Sequence, residues 1–226
     1  MSDRRNFLTR FSAAVGAFGA AMAASPASLP AQEPRRWTPE RHPQDDWLDA
    51  LPGKHRFFFD STTANGAGDA ITFTTNYLTA NRSGYNLTDA DHAIVICLRH
   101  WSTPFAWNDA MWAKYGAPIS ERIKFVDPKT NEPPKINVYQ STAYGMQLPN
   151  RGTTLDALIK RGVHFAVCDM ATRAYSGLIA SALKLQANDV YEDVKANSIA
   201  NAHYMAAGIV AVNRAQEKGY ALAWMA

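Results

Sequence analysis

Gly162-Val163-His164-Phe165-Ala166-Val167-Cys168 compresses a helix stop, a buried strand and a terminal thiol into seven residues. A glycine just past a helix takes the conformation that ends it. The helix it ends is predicted just upstream, where Thr153 or Thr154 caps a turn carrying Leu155, Leu158 and Ile159. Residues 163–167 form an apolar run of strand length, and the thiol of Cys168 follows at the carboxyl end.

The same signature recurs upstream. Ala93-Ile94-Val95-Ile96-Cys97-Leu98 is continuous and β-branched, as a strand covered on both faces requires, and it stops at Arg99-His100-Trp101. Another short run, His55-Arg56-Phe57-Phe58-Phe59-Asp60, enters a loop containing Gly66 and Gly68. Between these runs the pattern predicts a helix over 69–81, closed by Gly84. A short helix is expected over 108–115, capped by Asn108 or Asp109. Residues 127–134 are a loop by their turn chemistry, and 136–139 a short third strand. Past Cys168, helices are expected over 176–185 and 203–218. Gly219 stops the second, and a last strand spans 220–225. Strands alternating with glycine-terminated helices predict a parallel sheet between two helix layers. Ligands gather beyond the carboxyl strand ends of such sheets, and both cysteines lie at or near such ends.

The N-terminus carries a different message. Arg4-Arg5-Asn6-Phe7-Leu8, followed by a mild Ala/Gly-rich stretch over 11–22, reads as a twin-arginine export signal. It predicts recognition by the twin-arginine export machinery and delivery of a folded protein to the periplasm, an oxidising compartment. The apolar stretch is shorter and milder than the roughly 20 residues of a membrane span. Cleavage rather than anchoring is therefore expected, after Ala23, Ala27 or Ala31. The chain then divides into a signal segment (1–31), an extended N-terminal arm rich in Pro, Trp and charge (32–53), and one α/β domain (54–226).

Composition narrows the function classes. Hydrophobic residues make up 47% of the 226-residue chain, which excludes a disordered protein. Of the net charge of +3, the first 31 residues hold three Arg and one Asp, leaving +1 for the remainder. That balance gives no electrostatic footprint for nucleic acid or anionic lipid. Two cysteines do not make a disulfide scaffold.

About forty residues beyond Cys168 comes Ala207-Gly208-Ile209-Val210-Ala211-Val212-Asn213-Arg214-Ala215-Gln216-Glu217-Lys218-Gly219-Tyr220. A strand ending in Cys, then a terminal helix of the form Gly-(apolar)…Gln-x-x-Gly-Tyr, resembles the DsrE/DsrF-like family of sulfur-relay proteins with the YchN-like fold. The resemblance extends from about His55 to Met225. It implies a three-layer α/β/α domain with a mainly parallel five-stranded sheet, assembled as a homo-oligomer. It also implies that Cys168 accepts a persulfide from a sulfur-donor protein and hands it on. The proline-rich insertion at 127–134 and the N-terminal arm lie outside the minimal family domain, and sulfur-relay members are cytoplasmic where this chain carries an export signal.

The candidate site centres on Cys168 as nucleophile. A reactive thiol needs access and a positive neighbourhood. Arg173 and a helix N-terminus are the candidate stabilisers of the thiolate, and His100 is the candidate for proton supply or orientation. Asp169 works against a thiolate, and the competing reading of Cys168 is a buried structural residue. Cys97 is expected to be a small apolar packer. On the family's sheet order a strand separates it from Cys168. Two spacings of about 4.8 Å put the Cα atoms near 9.6 Å, beyond the roughly 7 Å limit for a bridge. Cys97-x-x-His100 with Cys168 and His203 is a weak metal-ligand pattern, since only one of the usual paired spacings is present. Alternatively, His100 lines a cleft, His164 is a satisfied core histidine, and His203 opens the last long helix. Trp101, Phe105, Trp107, Trp112 and Tyr115 are candidates for core packing, a pocket wall or a subunit contact. Gly66-Ala67-Gly68-Asp69 is a weak anion cradle or simply a turn. The sequence does not identify a cofactor. Two functions follow: a sulfane-sulfur acceptor or carrier working through Cys168, or a non-catalytic oligomeric protein binding a small ligand or metal.

Overall fold

The computed structural model describes residues 37–226, of which Pro39–Ala226 form one compact unit. The segment expected to be an export signal, residues 1–31, lies outside the described residues. Five strands, β1 (His55–Ser61), β2 (His92–Leu98), β3 (His164–Cys168), β4 (Ala202–Met205) and β5 (Ala221–Met225), make one sheet in the order β4-β3-β2-β1-β5. Every pairing is parallel. Among the described residues seven α-helices accompany them: α1 (Asp46–Ala50), α2 (Ala64–Tyr85), α3 (Asp109–Ile123), α4 (Leu155–Ile159), α5 (Asp169–Leu183), α6 (Ala187–Ala196) and α7 (Gly208–Glu217).

The layering follows from handedness. From β1 to β4 the chain steps across the sheet in one direction, so right-handed crossovers put every connecting helix on one face. Ile94, Ile96 and Leu98 of β2 and Phe165 and Val167 of β3 point to that face. They pack with Ile71 and Leu78 of α2, Trp112 and Ile119 of α3, Ile179 of α5 and Val194 of α6. After β4 the chain returns past β1 to add β5 on its far side, which puts α7 on the opposite face. There Val95, Cys97 and Ala166 meet Ala211 and Ala215 of α7. The result is a three-layer α/β/α fold.

Several expectations are corrected. The stretch before β1 is not simply extended. It holds a 3₁₀ turn (Pro43–Asp45) and α1, whose Leu48 is fully buried in the α7 layer. Leu48 is fixed there through its carbonyl, which accepts from Tyr220 Oη at 2.6 Å and from Arg56 Nη1 at 3.1 Å. Gly66 and Gly68 are not in a loop. They belong to the first turns of α2, which Thr63 caps by accepting from Gly66 N at 2.9 Å. A Cβ on Gly66 would stand 2.6 Å from the Met225 carbonyl, and one on Gly68 would stand 2.7 Å from Tyr139 Oη. Both glycines therefore permit close packing rather than cradle an anion. Helix α2 runs past Gly84 to Tyr85, where left-handed Asn86 ends it.

Residues 136–139 are not a strand. Asn137 is buried, and its Nδ2 donates to the Phe105 and Trp107 carbonyls at 2.8 and 2.9 Å, which holds the segment in a 3₁₀ turn (Val138–Gln140). The missing strand is β4, inside the region expected to begin a helix. Helix α7 starts only at Gly208, and α5 starts directly after Cys168 rather than at Ser176. Helix α6 was not foreseen. Among the described residues, no helix is long and apolar enough to cross a membrane.

Candidate functional site

β3 and β4 are neighbours, yet the helices that follow them diverge: α5 drops to one face of the sheet and α7 to the other. Such a divergence opens a crevice beyond the carboxyl ends of the strands. A cavity of about 410 Å³ occupies it. One wall is the stripe Ala171, Ala174, Tyr175 and Leu178, successive positions on a single side of α5. Opposite stand Arg99, His100 and Trp101 from the 3₁₀ segment after β2, and the N-terminus of α7. Arg122 of α3 also lines the cavity.

Cys168 lies in the wall of this cavity. It is 7% exposed, the last residue of β3 and the N-cap of α5. Its Sγ accepts the Ala171 backbone N–H at 3.3 Å, where a hydroxyl or carboxylate cap would ordinarily sit. The sulfur thus occupies the positive end of a 15-residue helix, a position that favours negative charge.

The cation beside it is Arg99, which sequence reasoning passed over. Leu98 pairs with Val167 in the β2/β3 register, so one step further Arg99 is level with Cys168. Asp60 of β1 holds Arg99 through two hydrogen bonds, Nε to Oδ1 at 2.6 Å and Nη2 to Oδ2 at 2.8 Å. These bonds, led by the Asp60 side chain, raise the guanidinium further above its ordinary value, so the positive charge is fixed. The signal was present in the sequence: Arg99 directly follows the clearest strand.

Arg173 does not reach the cavity wall. One turn into α5, it is 60% exposed and bonded to Asp169, Nε to Oδ2 at 2.8 Å, with its guanidinium over the Tyr191 ring. Tyr191 Oη also donates to Asp169 Oδ1 at 2.5 Å. Arg173 and Tyr191 therefore occupy the carboxylate expected to oppose a thiolate. His100 does line the cavity. It is exposed at the rim, stacked on Trp101 with ring centroids 4.8 Å apart, and its φ of +58° is left-handed. A non-glycine residue held in that region costs roughly 1–3 kcal/mol, a strain seen most often at functional sites.

The other candidates fall elsewhere. Cys97 is fully buried in the α7 layer, its Sγ directed to the Gly208 carbonyl at 3.8 Å, and burial pushes its thiol well up. Its strand is adjacent to that of Cys168, which corrects the expected sheet order. Both thiols are nevertheless free, because Cys97 pairs with Ala166, two residues short of Cys168. His203 lies on β4, not on a helix. Its Nε2 is 2.9 Å from His164 Nδ1, and its ring stacks on Trp47 at 3.9 Å. Cys97, His100, Cys168 and His203 thus do not converge, and no metal-binding cluster of His, Cys, Asp or Glu occurs among the described residues. Of the aromatic set, Phe105, Trp107, Trp112 and Tyr115 are core, while Trp101 remains partly exposed at the cavity.

Compared with protein-family models, with curated proteins and with solved structures, the chain matches none of them. The functional reading therefore rests on the cavity itself.

Proposed function

We propose that this is an exported thiol protein that accepts and carries sulfane sulfur on Cys168. The observation that carries the reading is the placement of Sγ: in the wall of a 410 Å³ cavity, at the N-terminus of α5, level with the fixed charge of Arg99. A thiolate, not a thiol, is the nucleophile, and both neighbours favour negative sulfur. In the proposed step the Cys168 thiolate attacks the outer sulfur of a donor persulfide. A new S–S bond forms at Cys168, the donor's S–S bond breaks, and the donor leaves as a thiolate. Sulfur moves without an external oxidant, and the product anion stays beside Arg99. His100, at the rim, is placed to exchange protons with the departing group. The resemblance to sulfur-relay proteins supports the sulfur-carrying step, and the Arg4-Arg5 motif supports export to the periplasm.

Alkylation of the folded protein tests it. Iodoacetamide is expected to modify Cys168 in the native state and to leave Cys97 untouched until denaturant is added. Arg99→Gln should slow the Cys168 reaction by about tenfold, the scale of one charge-assisted interaction. Equal protection of both thiols in the native protein would remove the basis for the proposal.

A further inference from the structure

The cavity holds more than the thiol, and its polar groups share one character. Helix α7 begins without a side-chain cap, since its N-cap is Ala207. The backbone N–H groups of Gly208, Ile209 and Val210 have no hydrogen-bond partner among the described residues. A ten-residue helix with a bare N-terminus presents partial positive charge, and its first residues line the cavity. Arg99 lies against that terminus. Asp60 takes its Nε and Nη2, and Nη1 has no partner among the described residues. Arg122, which also lines the cavity, forms no salt bridge among the described residues.

Tyr175 supplies an independent sign. It is 95% buried in the cavity wall, within the influence of Arg122, and its hydroxyl is buried with no hydrogen-bond partner among the described residues. An unsatisfied buried hydroxyl costs about 1–3 kcal/mol. Burial, partly offset by the nearby charge of Arg122, pushes the phenol up and so keeps it a donor. The acidic residues nearest these groups are already committed, Asp60 to Arg99 and Asp169 to Arg173 and Tyr191. The remaining lining is apolar: Met170, Leu178, Ile209 and Trp101. Apart from His100 at the rim, which can also accept, and the Cys168 sulfur, the polar side chains of the lining are donors or cations, beside a broad hydrophobic wall.

We infer that this cavity is a binding site for a small organic anion, a carboxylate or sulfonate with a compact apolar body, held without covalent chemistry. Its charged oxygens accept from Arg122, Arg99 Nη1 and the α7 N-terminus, and the Tyr175 hydroxyl, sealed in the cavity wall, joins them on a shift of its side chain. Its body lies on Leu178, Met170 and Ile209. The volume suits a ligand of this size. The inference is independent of the reactivity of Cys168.

Isothermal titration of the full chain with benzoate, benzenesulfonate and isovalerate tests it, against the neutral isosteres benzamide and benzyl alcohol and against inorganic sulfate. At least one organic anion is expected to bind, with its neutral isostere and sulfate each about tenfold weaker or worse. The titration is run with no sulfur donor present and reads binding alone, so a failed sulfur-transfer reading leaves the result standing. Arg122→Gln, at an exposed position, and the conservative Tyr175→Phe should each weaken binding by several-fold or more. Neutral and charged isosteres binding alike, sulfate binding as well as benzenesulfonate, no probe binding at millimolar concentration, or affinity unchanged in both variants would each overturn the inference.

Discussion

Arg99 grips Asp60 with a two-point hydrogen-bonded pair that ties the carboxyl end of β1 to the segment leaving β2. Asp60 is 4% exposed, so the pair is nearly dry on the carboxylate side. Breaking a buried pair by removing one partner strands the other charge. Asp60→Ala is therefore expected to destabilise the protein by about 3–5 kcal/mol, read from the midpoint of urea denaturation. A loss within about 0.5 kcal/mol, the range of an ordinary surface substitution, would mean that Arg99 finds another partner.

Gly208 is the reason Arg99 can lie where it does. A Cβ on Gly208 would fall 2.3 Å from Arg99 Cβ and 2.7 Å from its Cδ. The root of a side chain cannot swing away as its tip can. Gly208→Ala should cost about 1–3 kcal/mol through overpacking and displace the guanidinium from the cavity. A crystal structure of the variant with Arg99 unmoved, together with unchanged stability, would contradict this.

These two residues also mark where sequence reasoning ended. The buried strands were legible because 93–98 is a continuous apolar run and 163–167 is apolar but for His164, and a parallel three-layer fold followed from them. Strand β4 was not legible. Its four residues include His203 and Tyr204, and no apolar period separates them from α7. Helix α6 was hidden because only Val190, Tyr191 and Val194 turn inward from a polar stretch. At the site, Cys168 and His100 were found because both stand at strand ends. Arg173 was nominated as the nearby cation by proximity in sequence, yet one helical turn carries it away from the cavity. Strand register brings Arg99 level with Cys168 from 69 residues away, and spacing along the chain carries no trace of register.

The His164–His203 pair makes stability fall in acid. Burial, reinforced by the neighbouring His164, pushes His203 down to about 4 from an ordinary 6.5, and burial lowers His164 as well. Below 6.5 the unfolded chain binds protons that the folded pair refuses, so protons favour unfolding. Stability should be flat above pH 6.5 and decline between 6.5 and about 4. His203→Phe, which can keep the stack on Trp47, should shallow that decline. Thermal midpoints across the range check this, and an identical slope in the variant would assign the acid response to other groups.

Residues before β1 carry part of the core. Leu48 is fully buried against the α7 layer. Leu48→Ala should therefore cost about 2–5 kcal/mol, the range for core leucines. A cost near zero in chemical denaturation would make the segment an ornament rather than part of the fold.

Mass spectrometry of the folded protein after exposure to a sulfane-sulfur donor bears most directly on the role of Cys168. The account predicts a gain of about 32 Da, one sulfur atom, on the peptide containing Cys168, absent from the Cys97 peptide and lost on reduction. A native protein that gains no sulfur at Cys168 while its unfolded form does would contradict it.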